Sequence, residues 1–338
     1  MPDLTIRDIA KMAGVSPTVV SFVINGKDGV NDKTRQKVLE IVKNTNYRPN
    51  INSLRLVRRK SFNIGIAIKS STSSPFSNLF YFEIAQGLLE KSKRYGYNIV
   101  FTDMENEEMP DAVPDIVRRG DVDGMILFQS VDASVLNALE QRSLPTVLID
   151  FQGQTDRFIS INADYATCAA TATKHLIDKG HREIAMISSN FASAFFQQVF
   201  TGFSKAAMSA HIHTPLNWIC VANSENEVCD VMESLIASGD LPTAIFCSTD
   251  MIALTAMRYA KTRGIDVPGE MSFIGIDNIL LARFTEPSLT SIHIDKYMMG
   301  IMAMEQLMMI INGEAAESML VASDVLIERN SVATRAFV

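Results

Sequence analysis

The sequence predicts an all-α head built around a helix-turn-helix, followed by an α/β body of two lobes, each a doubly wound parallel sheet. Three observations carry that prediction. Two short helical patterns near the N-terminus are joined by Ala13-Gly14-Val15-Ser16. Beyond residue 60, short apolar runs alternate with amphipathic helical patterns. Charge divides at the same place: residues 1–60 hold 12 Lys/Arg against 5 Asp/Glu, a net of +7, while the whole chain carries −7, which leaves −14 on the remainder. A length of 338 residues leads us to expect two or three domains, and a composition of 47% hydrophobic and 20% charged residues excludes a disordered chain.

In the head, Thr5 is placed to cap a first helix, with Asp8 closing a shortened capping box. Ile6, Ile9, Ala10 and Ala13 then form one apolar stripe, and Gly14 ends the helix. Ser16 caps a second helix, and Pro17 takes its first position, where no amide hydrogen is needed. Val20, Val23 and Ile24 face inward there, while Pro17, Thr18, Ser21, Phe22 and Asn25 form the other face. Gly26 closes this helix. Asn31 caps a third, whose inner stripe is Val38, Ile41 and Val42. In a helix-turn-helix the second helix is the one that enters a DNA major groove, and a basic head on an acidic body suits that role.

The run TIRDIAKMAGVSPTVVSFVING, followed by TRQKVLEIVKNTNYRPN, resembles the DNA-binding head of the lactose-repressor (LacI/GalR) family, without gaps from Thr5 to Asn50. The resemblance implies a sequence-specific transcription regulator, a homodimer and most simply a repressor, whose two heads read a near-palindromic operator. The DNA-contacting set is then expected to be Thr5, Ser16, Pro17, Thr18, Ser21, Phe22 and Asn25 in the head, with Asn50, Arg55, Leu56 and Arg58 beyond it. One position departs from the family. Where Arg is common after the T-V-S of the second helix, this chain has Phe22 after V-V-S. Arg reads guanine through two hydrogen bonds, whereas Phe offers only apolar contact, for instance to a thymine methyl. Phe22 either alters the operator at that base pair or packs on the third helix and reads nothing.

The segment NINSLRLVRRKS can form a helix of under two turns, too short to be stable alone in water. The resemblance implies that this hinge orders on operator DNA with a Leu wedged into the minor groove. Counting from Tyr47-x-Pro49-Asn50 places Leu56 there, with Arg55, Arg58, Arg59 and Lys60 over phosphates. A basic solvated linker is the plainer alternative. The expected division is a head over 1–49, a hinge and linker over 50–61, and an effector-binding and dimerisation body over 62–338.

In the body, the runs NIGIAI, NIVF, GMILF, TVLID, EIAMI, WICV, AIFC and SFIGI read as buried parallel strands, with Trp218 beginning one of them. Helical stretches over 78–95, 164–178, 224–238 and 249–263 lie between them. SSPFSNLFYFEIAQGL, VDGMIL, KHLIDKGHREIAMI, LPTAIFCSTDMIALTAMR and MSFIGIDNILLARFTEPSLTSIHID resemble the periplasmic-binding-protein-like sensor of the same family, from about residue 62 to about 330. In two-lobed α/β proteins the ligand lies at the carboxyl ends of the strands. Candidate effector residues are therefore Ser74 and Phe76, Gln129 and Ser130, and Asp150 from one lobe, with Ser189, Thr249, Asp250 and Asp277 from the other. Each has a loop or capping role as its alternative, Asp250 above all. A second departure lies at Val199, three residues before Gly202-Phe203, where the family often places an Arg. Gln197 and Gln198 are expected to point elsewhere on the helix. Without that cation the expected ligand is a neutral, hydroxyl-rich molecule such as a sugar.

Cys168, Cys220, Cys229 and Cys247 are scattered, and no C-x-x-C, zinc spacing, nucleophile elbow, G-x-G-x-x-G or P-loop is present. Free thiols, no metal, no cofactor and no enzymatic activity are expected. His175 and His181 flank a helix end outside any triad, and the Met-rich run KYMMGIMAMEQLMMI reads as packing. No apolar run reaches 18 residues and no secretory pattern opens the chain, so a cytoplasmic protein without membrane contact is expected. Three other functions compete: a regulator answering to a partner protein with a vestigial cleft, an enzyme on a doubly wound fold, and a transport-type binding protein. The Arg missing at Val199 suits the first; the lack of a catalytic motif and the basic head speak against the other two.

Overall fold

The protein is described from a computed structural model, over residues 4–24, 26–45, 47, 60–68, 78–103, 113–129, 131–153 and 155–336. The chain divides into two compact units, Met1–Phe62 and Asn63–Val338. In the first unit, helices α1 (Ile6–Ala13), α2 (Pro17–Ile24) and α3 (Asp32–Thr45) enclose Ile9, Ala10, Ala13, Val20, Val23 and Val38, with Tyr47 sealing the base. Local chemistry sets the ends. Thr5 and Asp8 form the capping box, Asp8 Oδ2 accepting from Thr5 N at 2.8 Å. Gly14 adopts φ 67°, Ser16 Oγ accepts from Val19 N at 3.3 Å, and Asn31 Oδ1 accepts from Thr34 N at 2.8 Å.

The second unit has two six-stranded sheets. The first lobe contains β1 (Asn63–Ile68), α4 (Leu79–Tyr95), β2 (Asn98–Asp103), α5 (Asp115–Arg118), β3 (Gly124–Phe128), α6 (Ala133–Gln141), β4 (Thr146–Ile149) and β5 (Ile159–Ala163). The second contains α7 (Tyr165–Asp178), β6 (Ile184–Ser188), α8 (Ala194–Ser209), β7 (Ile219–Val221), α9 (Glu225–Ala237), β8 (Ala244–Cys247), α10 (Asp250–Thr262), β9 (Ser272–Asp277) and β10 (Thr290–His293). The chain then returns through α11 (Lys296–Asn312) and β11 (Met319–Val321) to the first lobe, and ends the fold with β12 (Val325–Ile327) in the second. Strand orders are β11-β5-β4-β3-β1-β2 and β12-β10-β9-β8-β6-β7; every pairing is parallel except β12 with β10. In each sheet the order reverses beside the lobe's first strand, which opens a crevice at the carboxyl ends.

The chain crosses between lobes three times, at Ala163–Tyr165, at Ile294–Lys296 and between β11 and β12. Because α11 returns to pack on α4 and β3–β5, each lobe is completed by chain from the far side of a crossover. Gly87 and Gly300 let α4 and α11 touch backbone to backbone: a methyl group on Gly87 would overlap the Tyr297 carbonyl oxygen, and one on Gly300 that of Ile84. The Met-rich run forms α11, with Met299, Met304 and Met308 buried. Trp218 does not begin a strand. It ends a 3-10 turn, Leu216–Trp218, and is buried, and the strand starts one residue later at Ile219. The four cysteines are free, with Cys168 and Cys247 buried.

Candidate DNA-reading surface and ligand cleft

On α2, positions 18, 21 and 22 share one face by helical spacing. Pro17 and Thr18 are exposed, as are Ser16 and Thr5 at the two helix starts, while Ser21 and Phe22 are partly exposed. Among the described residues Phe22 is not part of the head's core. Lys27 Nζ instead lies 5.6 Å from the centre of its ring, and Arg35 holds the turn in place by donating to the Lys27 carbonyl at 2.7 Å. The surface around Phe22 is thus an apolar ring with a cation on it, a pairing that the sequence reading missed although Lys27 stands five residues on. Asn25, Asn50, Arg55, Leu56 and Arg58 lie outside the described residues, as do Arg59 of the hinge and Ser74, Phe76 and Ser130 of the cleft.

At the mouth of the first lobe, Asp150 follows β4 with φ 57°. Its Oδ2 accepts from Tyr81 Oη at 2.9 Å, and its Oδ1 from Tyr165 Oη at 2.7 Å and Gln152 Nε2 at 3.0 Å. Tyr81 stacks on Phe128 at 5.1 Å between centroids, and Tyr165 sits edge-on to Phe195 at 4.7 Å. Burial raises the pKa of Asp150 against the pull of these donors, and burial followed by the carboxylate's charge holds both phenols well above their ordinary range. The tyrosines are therefore neutral donors. From the second lobe, Gln198 Nε2 donates to Gln152 Oε1 at 2.7 Å. Gln198 was expected to point away and does not: one helical step from the fully buried Val199, it reaches across the cleft. Gln129, at φ 65° after β3, also borders Tyr81.

In the second lobe Asp250 and Asp277 have different occupations. Asp250 is fully buried; its Oδ1 accepts from Ser291 Oγ at 2.6 Å and its Oδ2 from Ile279 N at 2.8 Å. Gly275 makes room for that carboxylate, since a methyl group there would overlap Asp250 Oδ1. Asp250 does not cap α10 either: Thr249 does, its Oγ1 accepting from Ile252 N at 3.3 Å. Asp250 braces the loop that carries Asp277. Asp277 and Asn278 both have positive φ, 115° and 51°, a costly conformation for non-glycine residues. It is held by Lys296 Nζ donating to Asp277 O at 2.5 Å, Asn278 N donating to Ser291 Oγ at 2.9 Å, and Arg329 donating to Asn278 Oδ1 at 2.6 Å. Burial pushes Asp250 up to about 7, and burial with the neighbouring Asp250 pushes Asp277 well up, Lys296 opposing both. Lys296 itself is fully buried and lies 3.4 Å from Glu83 of the first lobe.

Ser189 follows β6 and is half-buried, like Thr249. Their predecessors Ser188 and Ser248 were overlooked. Both are fully buried at the ends of the paired strands β6 and β8, with hydroxyls that find no hydrogen-bond partner among the described residues. Tyr81, Tyr165, Gln152 and Gln198 were overlooked too; only the tertiary fold brings them to Asp150. Among the described residues no His/Cys/Asp/Glu group has metal-binding geometry, and no helix is long and apolar enough to cross a membrane.

Residues 5–50 match the sequence model of bacterial regulatory proteins of the lacI family, and residues 173–332 that of periplasmic binding protein-like domains. The chain is 34% identical over 312 residues to the HTH-type transcriptional repressor PurR of Vibrio cholerae, covering 90% of each protein. It is 31% identical over 323 residues to catabolite control protein A of Priestia megaterium, covering 94% of this chain and 96% of the relative. Among solved structures, the lac repressor dimer bound to operator and the anti-inducer ONPF superposes with a TM-score of 0.79 at 23% identity, covering 98% and 99% of the two chains. The CelR–cellobiose complex superposes at 0.70 with 24% identity, covering 97% and 99%.

Proposed function

The chain belongs to the lacI family of bacterial regulatory proteins, and from that premise we propose that it acts as a homodimeric repressor whose hold on operator DNA is set by a small neutral ligand, sugar-like in its hydroxyls, bound between the lobes. It is a DNA-binding transcriptional regulator; the ligand, the dimer and the residues are our reading. Thr5, Ser16, Pro17, Thr18, Ser21, Phe22 and Asn25 meet the major groove, and Asn50, Arg55, Leu56 and Arg58 act at the minor groove and its phosphates. The protein works in the cytoplasm as a binding protein and not as an enzyme.

The observation that carries the ligand's class is the polar inventory of the cleft. Asp150, Tyr81, Tyr165, Gln152 and Gln198 are acidic or neutral groups. Lys296, the cation beside Asp277, is buried and directs its ammonium to two backbone carbonyls, Asp277 and Ile294. Among the described residues at Asp150 and Asp277, Arg329 is likewise engaged, donating to Asn278 Oδ1 and to the Leu289 carbonyl, so a phosphate or carboxylate on the ligand finds no free cation there, and desolvating it unpaired costs several kcal/mol. Hydroxyls both donate and accept, which suits amides and phenols. Asp150, Ser189, Thr249 and Asp277 are the proposed contacts, with Ser74, Phe76 and Ser130; Asp250 supports Asp277.

The test is a titration of neutral sugars, nucleosides and their phosphorylated counterparts against the operator complex, with wild type beside Asp277→Asn. A neutral sugar should shift operator affinity in wild type, and the shift should shrink at least tenfold in the variant. Tight binding of a sugar phosphate, or an undiminished response in the variant, overturns the assignment. A panel that moves nothing replaces it with control by a partner protein.

A further inference from the structure

We propose that the side-chain amides of Gln152 and Gln198 form a ligand-exchangeable latch across the cleft, and that this pair selects an uncharged ligand. The proposal rests on the reading of the cleft as the effector site. Gln152 lies two residues beyond Asp150 in the first lobe, and Gln198 projects from α8 of the second. The 2.7 Å bond from Gln198 Nε2 to Gln152 Oε1 ties the lobes directly. Its first-lobe end is anchored through Tyr81: Gln152 Nε2 donates to Asp150, which accepts from Tyr81 of the same lobe, while Tyr165 at the start of α7 makes a second tie from the other lobe to the same carboxylate. Both glutamines are only partly buried, so an entering molecule can reach them.

The chemistry of exchange is asymmetric. An amide presents a carbonyl and two N–H groups. A ligand hydroxyl inserted between the two amides accepts from Gln198 Nε2 and donates to Gln152 Oε1, so one amide–amide bond becomes two amide–hydroxyl bonds. An ionised carboxylate or a phosphate dianion can accept from Gln198 Nε2 but cannot donate to Gln152 Oε1. It would leave that carbonyl, closed off by the ligand, unpaired and set a negative charge beside Asp150. Insertion also lengthens the tie between the lobes, which converts occupancy into lobe movement.

The first measurement needs no ligand. Hydrogen–deuterium exchange is followed in the full-length protein for wild type, Gln152→Leu, Gln198→Leu and the double variant, with thermal melting to confirm folding. Segments 150–153 and 194–200 should exchange several-fold faster in each single variant, and no faster in the double variant, because both substitutions remove the same bond. Unchanged exchange, or additive effects, overturns the latch. The second measurement is calorimetry with D-glucose and cellobiose against D-glucuronate and glucose 6-phosphate. Gln198→Arg should shift the ratio of anionic to neutral affinity at least tenfold toward the anions. Failure of that variant to bind the anionic probes better than wild type overturns the selectivity. If wild type binds no neutral probe while the exchange result holds, the effector reading fails and the latch stands.

Discussion

If Phe22 reads a base, operator preference departs at that base pair from that of proteins with Arg at the same place. The Phe22 ring stays out of the head's core and carries Lys27 above it, so it presents an apolar face beside a charge suited to phosphate. Phe22→Arg should redirect base preference toward guanine at one position of each half-site, with a discrimination of about 1–3 kcal/mol. Selection from randomised duplexes checks this, and an identical consensus for both proteins would show that Phe22 reads no base. Asp250 is already engaged within the fold. A carboxylate directly after a strand and a threonine suggests a ligand group, but its two oxygens are occupied by Ser291 and Ile279 N.

At the scale of elements, the pair α4–α11 depends on two missing side chains. Gly300→Ala would force apart helices that meet through backbone, and overpacking of this kind costs about 1–3 kcal/mol. Urea unfolding measures it, and a loss below about 0.5 kcal/mol would mean that the helices separate freely. The C-terminal segment beyond β12 is tied to the second lobe through His181, which is fully buried between Thr243 Oγ1 at 3.0 Å and Ala333 O at 3.1 Å. Burial pulls its pKa down to about 4, whereas an unfolded histidine titrates near ~6.5. Above ~6.5 neither state is protonated and the stability is complete; as pH falls toward 4, only the unfolded chain gains the proton and stability is lost. Between pH ~7.5 and ~4.5 wild type should lose up to about 3 kcal/mol more than His181→Gln. Equal losses in the two proteins would remove His181 as the cause.

For the whole molecule, charge is arranged by domain, +7 on residues 1–60 and −14 on the rest. Two heads on one operator should displace many counterions, so affinity should fall by roughly 10³ or more between 50 and 200 mM salt. A filter-binding or anisotropy series measures the slope; a flat one is incompatible with DNA binding driven by the head. At one of the body's three crossovers the buried Lys296 contacts Glu83 of the first lobe and the Asp277 carbonyl of the second, which sets the proposed ligand loop of Asp277 beside the path by which the lobes can turn.

The sequence by itself determined what depends on neighbours along the chain. Helical periodicity placed α4, α7, α9 and α10 to within a residue at each end, and the structure shows Asn78, Asp164, Ser224 and Thr249 to be their caps. The long apolar runs gave the central strands, but the short or edge strands β5, β10, β11 and β12 carry too little apolar pattern to stand out. Tertiary structure alone decided which groups face the cleft. Tyr81 and Asp150 stand 69 residues apart, and Gln198 reaches Gln152 across 46. Successive helix residues point about 100° apart, so a small rotation of α8 separates a Gln198 aimed at the other lobe from one aimed at solvent. Its orientation follows from burying Phe196, Val199 and Phe203 on the opposite side, an outcome of packing that no local signal encodes.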